Sequence, residues 1–335
     1  MSSTSLAIVT DAWTPQVNGV VKTLQKTRDA LEQSGYQVTM LTPADHRTIP
    51  CPSYPEIRLA LRAGPAIRRQ LVALAPDHIH IATEGPLGLA ARRYCLDNGL
   101  AFTTSYHTQF PEYVRKRLPV PLELSYAFVR RFHRAAAQTM VATPSQQRLL
   151  EQWRFGNIVR WSRGVDTDLF TPEQRVELDV ERPLFTYTGR VAVEKNIEAF
   201  LKLDLPGTKC VIGDGPALDE LRARHPDVMF TGYKFGTDLA GHIAAADVFV
   251  FPSRTDTFGL VMLEAMACGV PVAAFPVTGP VDVVTQAETG FLDQDLRKAA
   301  LRALELDRGR CRSEALKHTW QAASRQFMNN LVPSG

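Results

Sequence analysis

The segment from Arg254 to Val272 reads RTDTFGLVMLEAMACGVPV and sets two carboxylates, Asp256 and Glu264, eight residues apart in otherwise apolar surroundings. An ionised group taken out of water is costly unless something compensates it. A carboxylate has two acceptor oxygens and no donor, which suits a vicinal diol such as the hydroxyls of a ribose. Glu264 fits that task, and Asp256 fits the hydroxyls of a second sugar. The strand-like runs DVFVFP and VPVAAF flank the segment. They predict a crossover helix over residues 257–267, with the amides of Thr257, Phe258, Gly259 and Leu260 turned toward anionic or hydroxyl oxygens.

A second pair of charges, Arg190 and Lys195 in YTGRVAVEKN, follows the strand-like run LFTYTG. A guanidinium binds phosphate in two-point fashion and an ammonium acts as a point charge, so together they can clamp a diphosphate. The alternative is a solvated pair in which Lys195 bridges to Glu194 or Glu198. With the two carboxylates, the clamp describes a ligand that has sugars on both sides of a diphosphate.

Two more positions follow strands in the front half. In TDAWTPQVNGVVKTLQ, Asn18 and Gly19 open a helix, where glycine lets backbone approach a ligand and amides attract anions. A tight turn that needs glycine for conformational reasons is the competing reading. In TSYHTQFPEY, His107 stands in a polar, aromatic turn where an imidazole can donate to a hydroxyl or phosphate; a structural histidine is the alternative.

These residues need elements to hold them. The front half alternates SLAIVT, YQVTMLT, HIHIAT, AFTTSY and TMVAT with amphipathic stretches. The back half repeats the pattern with LFTYTG, KCVIGD, VMFTGY, DVFVFP and VPVAAF. Short buried strands alternating with helices predict parallel sheets covered on both faces, and in such sheets ligands bind beyond the carboxyl ends of the strands. A chain of 335 residues suits two such domains. The polar stretch SRGVDTDLFTPEQRVELDVERP reads as the connection between them. The expected boundaries are 1–163 for the first domain, 164–309 for the second, and 310–335 for a terminal helix returning to the first.

Composition is that of an ordinary globular protein, with 45% apolar and 22% charged residues. No apolar run reaches the roughly 18 residues of a membrane span, and the amino terminus lacks the form of a cleaved signal, so a cytoplasmic protein is expected. The five cysteines have no metal or redox spacing and read as reduced thiols. Formal net charge is +3, divided as about +7 over residues 1–150 and about −4 over the remainder.

Together the motifs resemble the retaining glycosyltransferases of family 4, which have the GT-B fold of two facing Rossmann-like domains with a central crevice. Two acidic residues separated by seven others are that family's hallmark. PQVNGV is similar to its amino-terminal glycine loop, GRVAVEKN to its diphosphate clamp, RGVDTDLF to its domain junction and EAMACGVPV to its donor helix. The similarity spans nearly the whole chain, with the motifs in family order. PQVNGVVKTL, YHTQFPEY and SRTDTFGLVMLEAM most resemble bacterial enzymes that glycosylate lipids, including diacylglycerol glycosyltransferases and relatives of phosphatidylinositol mannosyltransferase. Two positions depart from the pattern: Asp256 stands where glutamate is usual, and Arg163 stands before Gly164 where asparagine is more common.

The resemblance implies transfer of a hexose from a nucleoside diphosphate sugar to an acceptor hydroxyl, with retention at the anomeric carbon. A UDP-sugar donor and a lipid acceptor such as diacylglycerol are implied, with GDP-mannose or a soluble glycan as alternatives. Arg190 and Lys195 would neutralise the leaving diphosphate, and the amides at Gly19 would close on the same phosphates. His107 would hold a sugar hydroxyl, Gly232 and Tyr233 would meet the base through their backbone, and Glu264 would take the ribose. No cofactor or metal is expected, because the clamp does the work of a cation; this discounts the D-x-D spelling of Asp166 and Asp168. No nucleic-acid partner is expected. An NAD-dependent oxidoreductase would need G-x-G-x-x-G after the first strand, where TDAWTPQVNG stands instead. Basic clusters at Arg62, Arg68 and Arg69, at Arg115, Lys116 and Arg117, and at Arg130, Arg131 and Arg134 suggest peripheral association with an anionic membrane. Solvated helix faces or a phosphorylated soluble acceptor are the alternatives.

Overall fold

A computed structural model of the chain describes residues 4–16, 18–51, 54–117 and 119–335; the side chains of residues 54–56, 116 and 117 lie outside that description, and with them the expected roles of Lys116 and Arg117. The chain forms two compact units, Met1–Ser162 with Trp320–Gly335, and Arg163–Thr319.

The first unit is built on six parallel strands: β1 (Ser5–Val9), β2 (Gln37–Leu41), β5 (His78–Ile81), β6 (Thr103–Ser105), β7 (Gln138–Val141) and β8 (Ile158–Arg160), in the spatial order β2-β1-β5-β6-β7-β8. An antiparallel hairpin, β3 (Thr48–Cys51) with β4 (Tyr54–Ala60), interrupts the series. Period-two alternation sorts side chains to the two faces of the sheet. Ala7, Val9, Ile79 and Ile81 pack against Ile67, Leu71, Leu87, Ala91 and Phe132 of helices Ala63–Leu74, Pro86–Asp97 and Leu122–His133. Leu6 and Ile8 face Leu24, Leu31 and Phe327 on the other side.

Helix Gly19–Gln33 covers that second face. Its buried residues recur at Val21, Leu24, Thr27 and Leu31, and it stops at Gly35, whose φ of +88° glycine tolerates. The terminal helix Trp320–Asn329 lies beside it and buries Phe327.

The second unit has β9 (Leu184–Thr188), β10 (Thr208–Ile212), β11 (Met229–Gly232), β12 (Val248–Phe251), β13 (Val272–Ala274) and β14 (Gly290–Leu292), all parallel, in the order β11-β10-β9-β12-β13-β14. That is the doubly wound order of a Rossmann sheet, and it reverses between β9 and β12.

Two expectations need correction. The connecting stretch 162–183 is more ordered than its polar composition suggests: Val176, Leu178 and Val180 alternate with polar residues and pack against Leu184, Ile212 and Ala245 of the second unit. The returning segment begins at Trp320 and not at residue 310, because helix Arg308–Ala315 is tied into the second unit. Arg308 donates to the carbonyls of Ala244 and Ala246, and Arg312 to those of Thr167, Phe170 and Ala267. Guanidinium groups at the carbonyl ends of helices Gly236–Ala245 and Leu260–Ala267 satisfy acceptors that those helices leave open.

Four of the cysteines, Cys95, Cys210, Cys268 and Cys311, are buried free thiols that burial pushes up to about 12. Among the described residues no helix is long and apolar enough to cross a membrane.

Candidate active site

The reversal point of the second sheet collects the charged residues. The chain leaves β9 at Gly189, whose φ is +147°, and the Tyr187 hydroxyl donates to the carbonyl of Arg190 at 3.0 Å. A short turn, Val193–Lys195, then ends at Asn196, which takes a left-handed conformation and donates from Nδ2 to the Pro252 carbonyl just past β12. That bond fixes the β9 loop to the end of the neighbouring strand. The result is an ion pair between Lys195 Nζ and Asp256 Oδ1 at 2.6 Å, with both side chains largely but not wholly buried. Glu198, a potential rival for Lys195, pairs with Lys202 and Arg224 at 2.9 Å. Arg190 is half-buried in the same loop.

The helix expected over 257–267 begins later, at Leu260. Gly259 has φ of +84°, and a Cβ there would lie 2.6 Å from Met262 Cε and 3.0 Å from Phe251 Cζ. Left-handed backbone interrupts a right-handed helix, so Thr257 and Phe258 form a turn that carries Asp256, and the helix starts only beyond it. Gly279 seats its loop against this turn: its Cβ position is 3.2 Å from the Asp256 carbonyl and 3.1 Å from that of Phe258. Glu264 then lies little more than one turn into the helix, 4% exposed among Met262, Leu263, Ala265 and Met266.

A pair of glycines that reading the sequence did not single out completes the edge. In Gly213-Asp214-Gly215, which follows β10, a Cβ on Gly213 would fall 1.9 Å from the Gly189 carbonyl oxygen and one on Gly215 2.3 Å from that of Val191. The Asp214 carbonyl accepts from Val191 N at 2.8 Å. The two loops thus lie backbone against backbone, and the available signal was a G-x-G directly after a strand. Gly213 N donates in turn to the Gly232 carbonyl at 2.9 Å, joining the ends of β10 and β11. Beyond Gly232, Tyr233 is exposed and stacks on Phe235 with ring centroids 5.7 Å apart.

Gly19 and His107 belong to the first unit. Gly19 begins its helix, but the amides of Val20 and Val21 already donate to Asn18 Oδ1 at 3.0 Å, so the cap takes up amides expected to be open to an anion. His107 is nearly buried just after β6. Its Nε2 is 2.8 Å from Ser105 Oγ, which also lies 3.1 Å from His80 Nε2, and its ring meets Trp161 edge-on. At the switch between β1 and β5, Asp11 accepts from the Thr83 hydroxyl and from the amides of Leu87 and Gly88. Burial nonetheless leaves its carboxyl above the ordinary aspartate range. Asp11 therefore serves as a buried helix cap. Asp166 Oδ1 accepts from Leu169 N within its own turn, and among the described residues no three His, Cys, Asp or Glu side chains gather as a metal site would require.

The chemistry on offer in the second unit is an ammonium held in place by a carboxylate, a neighbouring guanidinium, and close-packed glycine loops at the carboxyl edge of a Rossmann sheet. Residues 17–169 match the model described as Glycosyltransferase Family 4, and residues 182–306 match Glycosyl transferases group 1. A GDP-mannose-dependent alpha-mannosyltransferase of Mycolicibacterium smegmatis is 31% identical over 89% of this chain and 87% of its own length. An alpha-monoglucosyldiacylglycerol synthase of Streptococcus pneumoniae is 26% identical over 89% of this chain and 78% of its own. The sucrose-phosphate synthase of Thermosynechococcus elongatus superposes with a TM-score of 0.77 at 22% identity, covering 97% of this chain and 98% of that one. Both Rossmann-like units, the two family models and a relative aligned over most of its length agree that this chain belongs to glycosyltransferase family 4 and has the GT-B fold.

Proposed function

We propose that the protein transfers a hexose, with retention and without a metal, from a nucleoside diphosphate sugar to a lipid hydroxyl such as that of diacylglycerol. The observation that carries this reading is the Lys195 to Asp256 ion pair at the reversal point of the donor-side sheet. An ammonium has three N–H donors, so one can stay on Asp256 while the others meet phosphate oxygens. As the bond between sugar and diphosphate breaks, negative charge grows on the leaving oxygens. Cationic groups already aimed there lower the barrier more than groups that must reorganise. Arg190 supplies the second cation, Glu264 the acceptor oxygens for the ribose, and the backbone at Gly232 and Tyr233 the contacts to the base. His107 holds a hydroxyl of the transferred sugar. The leaving phosphate helps to deprotonate the acceptor on the same face, which gives retention without an enzyme nucleophile.

A UDP-hexose is the proposed donor, and the diacylglycerol named for the streptococcal relative supports the lipid acceptor. A second reading, mannosyl transfer from GDP-mannose, is favoured by the mycobacterial relative. A thermal-shift panel of UDP- and GDP-sugars separates the two. A ligand at 100 times its dissociation constant adds about 2.7 kcal/mol, so the true donor raises the melting temperature and the other base does not. No shift with any nucleotide sugar would remove the proposal.

A further inference from the structure

Strands β5 and β6 of the first unit pair with His80 opposite Thr103, and alternation along β6 turns Thr103 and Ser105 to the same face of the sheet as His80. It is the face of Leu6 and Ile8, since β1 sets Ile8 opposite His80. There the His80 ring is fully buried, edge-on to Phe327 at 4.8 Å and to Trp161 at 6.0 Å between centroids. Trp161 meets the His107 ring at 5.5 Å in the same way. Polar side chains run in a line through this apolar layer toward the end of β6. Thr103 Oγ1 lies 2.9 Å from His80 Nδ1, His80 Nε2 lies 3.1 Å from Ser105 Oγ, and Ser105 Oγ lies 2.8 Å from His107 Nε2.

The protons of this line can be placed by counting donors and acceptors. Thr103 is buried, and among the described residues the partner of its hydroxyl is His80. A hydroxyl has one proton to donate, and a buried donor left unmade is costly. If His80 Nδ1 carried a proton, in the other neutral tautomer or in the charged ring, the Thr103 proton would lose its acceptor. Thr103 therefore donates to Nδ1, and His80 carries its proton on Nε2 and donates it to Ser105. The Ser105 proton then has a choice between His107 Nε2 at 2.8 Å and the Ala82 carbonyl at 3.4 Å, and the shorter contact takes it. His107, accepting on Nε2, keeps its own proton on Nδ1.

We infer that His80 is a positioning residue, which acts with Thr103 and Ser105 to hold His107 as the Nδ1–H tautomer and so to present a fixed N–H donor to the transferred sugar. The use of that donor rests on the role proposed above for His107; the tautomer does not. A histidine kept only for packing would be satisfied by any two buried partners. His80 instead spends its second nitrogen on the hydroxyl that faces His107, while Phe327 and Trp161 fix the plane of its ring. The hydrogen bond at one ring nitrogen decides what the other can offer, and a donor set before substrate arrives needs no reorganisation during the reaction.

Proton–nitrogen NMR correlation through the imidazole rings of histidine-labelled protein tests it, with the His107 signals assigned by their loss in His107→Gln. Ligand-free wild type at neutral pH should show His107 protonated on Nδ1 and His80 on Nε2. His80→Leu removes the donor to Ser105, so His107 should become a mixture of tautomers and kcat/KM for transfer should fall about tenfold, the loss of one hydrogen bond. His80→Gln can accept from Thr103 through its carbonyl and donate to Ser105 through its amide. It should restore the single tautomer and most of the rate. A wild-type His107 protonated on Nε2 would overturn the inference whether or not any variant folds. An unchanged tautomer or an unchanged kcat/KM in His80→Leu would do the same, as would a His80→Gln enzyme no better than His80→Leu. The Nδ1–H tautomer in a protein that transfers from no nucleotide sugar would leave the hydrogen-bonded line standing and remove the proposed function.

Discussion

Lys195 Nζ lies 2.6 Å from Asp256 Oδ1, and the two side chains come from loops that follow adjacent strands, β9 and β12, at the point where the second sheet reverses its order. The contact ties a cation proposed for the diphosphate to an acid proposed for the donor sugar. Each therefore depends on the other for its position.

Lys195→Ala and Arg190→Ala should each slow transfer by on the order of 100-fold or more without loss of fold, since each removes charge stabilisation of the leaving group. Because Lys195 and Asp256 touch, the pair should be coupled: Asp256→Asn should slow the Lys195→Ala enzyme less than it slows wild type. Steady-state kinetics of the two single variants and the double variant measure this. Strictly multiplicative losses would mean that Asp256 does not act through Lys195.

Glu264→Gln is nearly isosteric, so the buried helix should tolerate it. One of the two acceptor oxygens proposed for a ribose diol is lost. Affinity for the donor and for the free nucleoside diphosphate should weaken in parallel, by calorimetry or by competition. Unchanged nucleotide affinity would make Glu264 a structural residue of its helix.

Gly213→Ala places a methyl group 1.9 Å from the Gly189 carbonyl oxygen at a φ of +143°, so the loop before Arg190 must move. A displacement of about 1 Å in a catalytic group can cost on the order of 100-fold in rate. Activity should therefore fall far more than stability, which should drop by about 1–3 kcal/mol. Gly156→Ala, with nothing within 4 Å of its Cβ position, should be silent in both assays. Full activity in Gly213→Ala would separate this loop from the site.

Transfer should continue in excess EDTA, because Arg190 and Lys195 are proposed to meet the leaving phosphate in place of a metal ion. Loss of activity that magnesium or manganese restores would overturn that proposal and return attention to Asp166 and Asp168.

Much of the architecture was legible in the chain. Ten strands stand out because each is a short apolar run closed by a turn and followed by a helical period, and such repetition has few solutions other than parallel sheets. Strand β8 ends in Arg160 and β14 opens on Gly290, so each offers only two consecutive apolar residues, and the β3–β4 hairpin is masked by Pro50 and polar neighbours. The later start of the helix at Leu260 turns on Gly259, whose left-handed backbone could not be told from an ordinary small residue without its surroundings.

The sequence by itself determined which residues follow strands, and so which side chains could reach the carboxyl edge of a sheet: Arg190, Lys195, Asp256 and His107 are local facts of strand, turn and helix. Only the tertiary structure decided which of them meet. Lys195 and Asp256 are 61 residues apart, and they pair because crossover connections set β12 beside β9 and Asn196 fastens one loop to the other. Local periodicity reports what an element can bury, but the neighbour it buries against is set by strand order, which depends on the energies of the whole fold.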